Sequence, residues 1–244
     1  MTKDKIRLIL VLIFIYIVLF EFILPINKLL PKPSLLAESI IVVWSDYNFF
    51  ESLAWTTTVI YLSILFSFII IHFVSPYLIK LELELPALLE SLKIFRYFPA
   101  FFFAIIFVFW FGESLFAELL FSIIVSTLLL SFEVINQSKM INHSYLDVAR
   151  NMGLNGIKLY SKVAYKSIQP SIFAKLQRIH YYLWVLIMIY EFIGRANGIG
   201  SVYFYALSYR DFAALFSFAL IISILILLGD IILKFINEKI FAWE

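Results

Sequence analysis

The ionisable residues of this chain are scattered, and their spacing does not fit a catalytic or metal-binding pattern. His72, His143 and His180 are isolated, with no H-x-x-H or H-E-x-x-H spacing to place two of them on one helix face. The chain has no cysteine, which excludes disulfides, thiolate chemistry and cysteine-based metal sites. The segment most similar to a phosphate-binding G-x-x-x-x-G-K-[ST] loop is Gly153 to Lys158. It lacks both the glycine spacing and the Ser/Thr hydroxyl of that motif. We therefore expect no catalytic residues, no metal and no cofactor bound by this chain.

The most informative local pattern lies in the loop at about 140–170. Ser144 followed by Asp147 predicts a capping box at the start of a helix, and Gly153 suits the left-handed residue that ends one. The helix between them is predicted to be amphipathic. Its apolar stripe consists of Tyr145, Val148, Ala149 and Met152, and its polar side consists of Asp147, Arg150 and Asn151. About two turns of helix are unstable alone in water, so a partner protein or the lipid surface must hold the stripe.

Other charged residues have simpler interpretations. Lys158, Lys162 and Lys166 share one helix face and are expected to meet anionic headgroups, at about 1 kcal/mol each. An ionised Glu191 near the end of a span costs free energy unless it is paired with another group or solvated. We expect it to snorkel outwards or to bond the loop Gly194–Gly200, rather than to contact a substrate. The remaining span-end carboxylates are expected to be solvated: Glu21, Glu118 and Glu133.

Composition sets the class of protein that must position these residues. Of 244 residues, 63% are hydrophobic and 15% charged, and the mean hydropathy is +0.97. Apolar runs of this length indicate membrane spans. They show no sustained alternation with period two, so helices are the expected way to satisfy the backbone in lipid. The formal charge of +2 does not suggest a nucleic-acid partner. We predict an all-α, polytopic membrane protein, with residues 1–244 forming a single transmembrane domain without internal repeats.

Six transmembrane helices are predicted, together with a short surface helix at Leu35–Trp44. Pro99 breaks the entry to the third span, which is shorter than the hydrocarbon core. The predicted spans are Ile6–Leu24, Leu53–Val74, Tyr97–Gly112, Leu115–Val134, Ser171–Ile193 and Phe212–Ile232.

Charge distribution predicts the sidedness of these spans. With both termini inside, fifteen of the 19 lysines and arginines fall on or near the cytoplasmic side. The four outside are Lys28, Lys32, Arg195 and Arg210. This is the bias that the positive-inside rule describes, and it places the 140–170 loop in the cytoplasm.

Several segments, taken in order, resemble the permeases of bacterial ABC importers. Asp147-x-Ala149-x-x-x-Gly153, with Pro170 seventeen residues later, is similar to the EAA loop of that family. Phe95 to Pro99, followed by Phe109 to Gly112, resembles the family's stretch ahead of and through its third span. Three further stretches are similar to the nitrate/sulfonate/taurine branch: Leu30-Pro31-Lys32-Pro33-Ser34, Glu191 to Gly200, and Phe241-Ala242-Trp243. The motif's usual glutamate is Asp147 here, and Lys166 stands at the family's first proline.

The resemblance implies a permease subunit in a bacterial cytoplasmic (inner) membrane. It implies a coupling helix that fits a cytoplasmic ATPase subunit, which binds the ATP, through Asp147, Ala149, Arg150, Gly153 and Pro170. It further implies a periplasmic or lipoprotein substrate-binding protein, a second copy of the chain forming a homodimer, and the lipid bilayer as partners. Gate or structural roles fall to Pro99, Glu191, Gly194, Gly198 and Gly200.

The cargo that the resemblance implies is a small solute such as a sulfonate, nitrate, taurine or a vitamin precursor. Two other classes are weighed against this importer. A membrane-embedded enzyme would need acid, base or metal-binding residues clustered at one depth, and those of this chain are scattered. A non-transporting membrane scaffold would explain the hydrophobicity but not the coupling-type helix.

Overall fold

A computed structural model describes residues 3–24, 30–92, 99–112 and 114–240 of the chain. Regular structure in these ranges is helical throughout. The helices are α1 (Lys3–Ile17), continued by a π-helical segment Val18–Ile23; α2 (Pro33–Asp46); α3 (Phe49–Glu84); α4 (Pro86–Leu92); α5 (Ala100–Phe111); α6 (Leu115–Ser138); α7 (His143–Asn151); α8 (Ile157–Leu159), continued by a π-helical segment Tyr160–Ala164; α9 (Tyr165–Gly194); α10 (Gly198–Ser208); and α11 (Phe212–Ile240). The predicted motif residues Phe95–Phe98 and Phe241–Trp243 lie outside the described ranges.

The predicted class is confirmed, because several helices are long and apolar enough to cross a membrane. Within the described residues these are α3, α6 and α11. A fourth crossing is formed if the helical stretch Ile157–Gly194 and α10, which meet at a bend of 58°, count as one span. The apolar helices Leu10–Ile23 and α5 are shorter. The count of six spans therefore stays a prediction.

The centre of the fold is made by α3, α6 and α9. Side-chain contacts show that α3 and α6 run side by side in the same direction, whereas α9 runs opposite to both. The contacts that fix these directions are Trp55–Glu118, Ser63–Ser122 and Glu82–Lys139 between α3 and α6, and Thr56–Glu191 and Glu84–Tyr160 between α3 and the α9 region. Parallel α3 and α6 require the chain to cross back between them, and α5 lies in that stretch.

Small polar residues allow α3 and α6 to approach closely. The Ser122 hydroxyl donates to Ser63 at 2.7 Å, and Ser67 and Ser126 also share a hydrogen bond; all four side chains are buried. Small side chains and interhelical hydrogen bonds are the usual means of joining helices where lipid removes the hydrophobic driving force.

The surface helix predicted at Leu35–Trp44 is present as α2, with Pro33 in its first turn. It packs against α11, and just after it the Tyr47 hydroxyl donates to Asp211 Oδ2 at 2.9 Å. The rings of Phe49 and Phe218 stack at 4.7 Å between centroids. These contacts place α2, the start of α3 and α10 at one end of the bundle, which we call the α10 end. The opposite end, with α7 and the close of α3, is called the α7 end.

Candidate functional site

The helix α7 begins two residues earlier than the predicted cap. Asn142 is its N-cap, and Asn142 Oδ1 accepts a hydrogen bond from the Ser144 N–H at 2.9 Å. The predicted capping box of Ser144 and Asp147 is therefore wrong. Instead, the Asp147 carboxylate pairs with Arg150 at 3.0 Å on the exposed surface of the helix. Asn and Ser are equally favourable at an N-cap, so the observed start of α7 is capped as well as the predicted start would be.

The end of α7 is a Schellman motif, as the position of Gly153 predicts. The Gly153 N–H donates to the Arg150 carbonyl at 2.9 Å, and the Leu154 N–H donates to the Ala149 carbonyl at 3.0 Å. Gly153 has a φ of +87°, the left-handed conformation that glycine adopts without a penalty. Leu154 is partly buried against the hydrophobic core and anchors the turn that follows. The predicted helix-ending role of Gly153 is confirmed.

The two faces of α7 differ sharply in burial. Leu146 and Ala149 are only 1% and 5% exposed and hold the helix to the bundle. Tyr145, Val148 and Met152 are 59%, 58% and 78% exposed. We call these last three side chains the exposed α7 face. The expectation that Ala149 faces a partner is not met, because its side chain turns inward beside Leu146.

A chain of polar contacts leads from α7 to the end of α3. Beyond the Asp147–Arg150 pair, the Arg150 guanidinium lies near the Tyr160 hydroxyl. That hydroxyl donates to Glu84 Oε1 at 3.0 Å, and Tyr160 is otherwise buried. Glu84 in turn is 3.8 Å from Lys80. These contacts join α7 to the last turns of α3.

Pro170 is buried inside α9, shortly after the π-helical segment Tyr160–Ala164. Since proline has no N–H, the carbonyl four residues earlier lacks its usual helical partner. Further along, Lys175 Nζ lies 3.6 Å from Glu133 Oε1, which joins α9 to α6. The expectation that Glu133 is solvated is therefore only partly met.

The second group of predicted residues meets at the α10 end. Glu191 Oε1 accepts a hydrogen bond from the Thr56 hydroxyl at 2.5 Å, and Glu191 Oε2 accepts one from the Gly200 N–H at 2.8 Å. Thr56 also accepts a bond from the Ile199 N–H at 2.9 Å. Of the two alternatives expected for Glu191, the structure has the bond to the loop Gly194–Gly200.

The glycines of this loop are needed for close approach. A β-carbon on Gly198, whose φ is +82°, would overlap the Glu191 carboxyl, and one on Gly200 would overlap the backbone of Met188. Gly194 lines a small cavity beside Glu191. The structure thus brings Glu191, Gly194, Gly198 and Gly200 together. Pro99 stands apart from them, as the N-cap of α5.

One residue of this second group was missed by reasoning from the sequence. Glu118 was expected to be solvated, but it is only 4% exposed and its Oε2 accepts a hydrogen bond from Trp55 Nε1 at 2.7 Å. Its position in the first turn of an apolar helix gave no sign of this partner, because Trp55 comes from α3. Among the described residues, no group of three or more histidines, aspartates and glutamates is placed to hold a metal ion.

A family model supplies the decisive comparison. The model of the binding-protein-dependent transport system inner membrane component matches residues 87–242, which is more than half of the chain. The chain belongs to that family. It is a multi-pass membrane permease of the ABC transporter type, and the family is one of transport proteins, not of enzymes. The matched range of this permease includes α7, Glu118, Glu191 and the glycines beside Glu191, whereas Trp55 and Thr56 lie before it. No curated protein matches the permease.

Proposed function

We propose that this permease moves a small solute across the bacterial cytoplasmic membrane by alternating access, driven by a separate ATPase subunit that docks on the exposed α7 face. The single observation that supports this proposal is the contrast on α7. The helix is fixed to the bundle by Leu146 and Ala149, yet it leaves three large apolar side chains uncovered. An exposed apolar patch beside polar residues is typical of a protein-binding surface.

The chemistry of α7 favours a protein over lipid hydrocarbon as the occupant of this face. The Asp147–Arg150 pair lies on the exposed surface of the same helix, and charged groups are costly in the hydrocarbon region. A protein groove can bury Tyr145, Val148 and Met152 while it leaves the ion pair at a polar rim. The sequence contains no phosphate-binding loop, so ATP hydrolysis has to come from the docked chain.

The contacts behind α7 suggest how such docking would act on the pathway. Closure of an ATPase dimer would displace α7, and the Arg150–Tyr160–Glu84 contacts would pass that displacement to α3. Because α3 packs along α6 and α9, the three helices would move as one body. This is a rigid-body transition that a partner's ligand state selects.

The remaining parts of the proposal come from the family resemblance. Two copies of the permease would enclose the pathway as a homodimer, with both termini and the α7 end in the cytoplasm. A periplasmic or lipoprotein binding protein would deliver the solute at the α10 end. The nitrate/sulfonate/taurine branch suggests a small anion or a vitamin precursor as the cargo, and its identity is best read from what the binding protein retains after purification.

Co-purification from native membranes tests the docking. We expect a nucleotide-binding chain with vanadate-sensitive ATPase activity to purify with the wild-type permease. Met152→Glu puts a charge into the exposed α7 face and should reduce the retained ATPase at least tenfold. Tyr209→Glu is the matched control, because Tyr209 is 74% exposed at the α10 end, and it should leave retention unchanged. Equal retention in both variants would contradict the proposed docking surface.

A further inference from the structure

Two buried carboxyl groups meet at the α10 end of the bundle. Glu118 lies in the first turn of α6 and Glu191 in the last turn of α9, and their side chains are within hydrogen-bonding reach of each other. Their residues are only 4% and 3% exposed. Two ionised carboxylates at this separation, shielded from water, would repel each other strongly.

The hydrogen bonds around the pair leave one oxygen without a donor. Trp55 Nε1 donates to Glu118 Oε2, the Thr56 hydroxyl donates to Glu191 Oε1, and the Gly200 N–H donates to Glu191 Oε2. Glu118 Oε1 is buried and accepts no hydrogen bond from the described residues. A proton held between the carboxyl groups would supply the missing donor, because a carboxylic acid donates where a carboxylate only accepts.

Among the described residues, no cationic side chain forms an ion pair with Glu118 or Glu191. The other described titratable groups on the surrounding elements are engaged elsewhere or exposed. The Arg195 guanidinium lies over the Phe204 ring at 4.2 Å, and Glu51 is exposed. Three tyrosine hydroxyls donate to backbone carbonyls: Tyr190 to Gly112 at 3.4 Å, Tyr203 to Leu215 and Tyr205 to Arg195.

A small cavity gives the pair a route for exchange with water. It has a volume of about 10 Å³, which is space for about one water molecule. Its wall includes Glu118, Glu191, Ser114 and Asn197. Asn197 is exposed in the turn between α9 and α10, so the cavity lies directly below the surface.

We propose that Glu118 and Glu191 form a proton-binding site that holds one shared proton at neutral pH, and that this singly protonated pair fixes the turn between α9 and α10 to α3 and α6. The hydrogen bonds of the pair join four helices, α3, α6, α9 and α10. Glu118 is held by α3 through Trp55, and Glu191 holds both α3 through Thr56 and α10 through Gly200. This proton-binding site depends on these contacts alone, whether or not an ATPase docks on α7.

Infrared spectroscopy of the purified permease in nanodiscs tests the site. At neutral pH the wild type should show the C=O stretching band of a protonated, buried carboxyl. That band should disappear in Glu118→Gln and in Glu191→Gln, because each variant replaces the shared proton with an amide donor and leaves one carboxylate. Glu133→Gln is the control, since Glu133 pairs with Lys175 and its loss should leave the band unchanged.

Thermal melting separates a proton from a bound metal cation. We expect Glu118→Gln to melt within about 3 °C of the wild type, as an isostere of the protonated acid should. Replacing choline chloride by sodium or potassium chloride should leave both melting temperatures unchanged. A wild-type spectrum without the band, a band that persists in both glutamine variants, or a melting temperature that rises with sodium or potassium only in the wild type would each overturn the proposal.

Discussion

The hydroxyl of Tyr160 donates to Glu84 Oε1 at 3.0 Å and so joins the segment behind α7 to the last turn of α3. The same hydroxyl lies near the Arg150 guanidinium, which pairs with Asp147 on the surface of α7. The contact is local in space but connects residues 76 positions apart in sequence. It links the segment behind the exposed α7 face to a candidate membrane span.

Tyr160→Phe should weaken this connection without disturbing the packing of the ring. We expect a loss of about 0.5–1.5 kcal/mol in the free energy of unfolding, the usual value of one hydrogen bond. In proteoliposomes that contain the whole transporter, solute-stimulated ATP hydrolysis should fall while basal hydrolysis stays. Tyr77→Phe serves as the control, because Tyr77 is exposed on α3. If both variants behave alike, Tyr160 does not connect α7 to α3 in the way we describe.

The effect of substituting Gly153 should depend on how readily the new residue adopts a positive φ, and not on the size of its side chain. Its φ of +87° is unfavourable for residues with a β-carbon, yet a β-carbon there would meet no atom within 4 Å. We expect Gly153→Ala to lower the free energy of unfolding by about 1 kcal/mol. Gly153→Asn should lower it less, since asparagine adopts the left-handed region more readily. Melting curves of the two variants in the same detergent give the comparison, and an asparagine variant less stable than the alanine variant would contradict it.

Gly198→Ala should be far more damaging than Gly153→Ala. Both glycines have positive φ, but only at Gly198 would a β-carbon overlap the Glu191 carboxyl. We expect a loss of at least about 2–3 kcal/mol, from backbone strain together with displacement of the buried carboxyl. Gly156→Ala is a second control, because Gly156 has a φ of +58° in open space. Equal melting temperatures for the alanine variants at 156 and 198 would show that Glu191 is free to move away.

Tyr47 and Asp211 give a prediction for alkaline pH. Burial, and after it the hydrogen bond and charge of Asp211, raise the pKa of Tyr47 above its ordinary value of 10.0. The folded chain therefore keeps the phenol proton at a pH where the unfolded chain has released it. The stabilisation by Tyr47 is fully present below about pH 10 and is lost as the pH rises towards the folded pKa.

The comparison of wild type with Tyr47→Phe isolates this effect. At neutral pH the wild type should be more stable by about 1 kcal/mol, the value of one hydrogen bond. Above about pH 10 the difference should shrink, because only the wild type gains a deprotonated form in its unfolded state. Melting temperatures measured across this range provide the check. A difference that grows with pH would have the wrong sign for the account.

The helices that sequence reasoning located best are those with long uncharged runs. The predicted spans Leu115–Val134 and Phe212–Ile232 lie within α6 and α11, because some twenty apolar residues leave few alternatives to a helix. Local signals also sufficed for α2 and for the turn at Gly153. In these cases the information that determines the structure lies in neighbouring residues.

The predictions from sequence were wrong where the burial or bonding of a residue depends on a contact with a residue distant in sequence. Two adjacent stripes of α7 are apolar, and only packing against the bundle determines that Ala149 is buried while Val148 is exposed. Glu118 looked like a solvated carboxylate until Trp55 was found to donate to it from another helix. The cap at Asn142 was missed for a different reason, since two cap patterns overlap there and both would satisfy the Ser144 N–H.

The central claim is that the exposed α7 face is where the ATPase subunit docks. Because the chain has no cysteine, Val148→Cys introduces a unique thiol on this face, and Tyr209→Cys introduces one at the α10 end. Native membranes containing each variant are treated with a short maleimide–succinimide cross-linker. We predict that the nucleotide-binding chain is cross-linked from position 148 and not from position 209. Cross-linking from position 209 alone, or labelling of position 148 by an impermeant maleimide outside intact cells, would contradict the account.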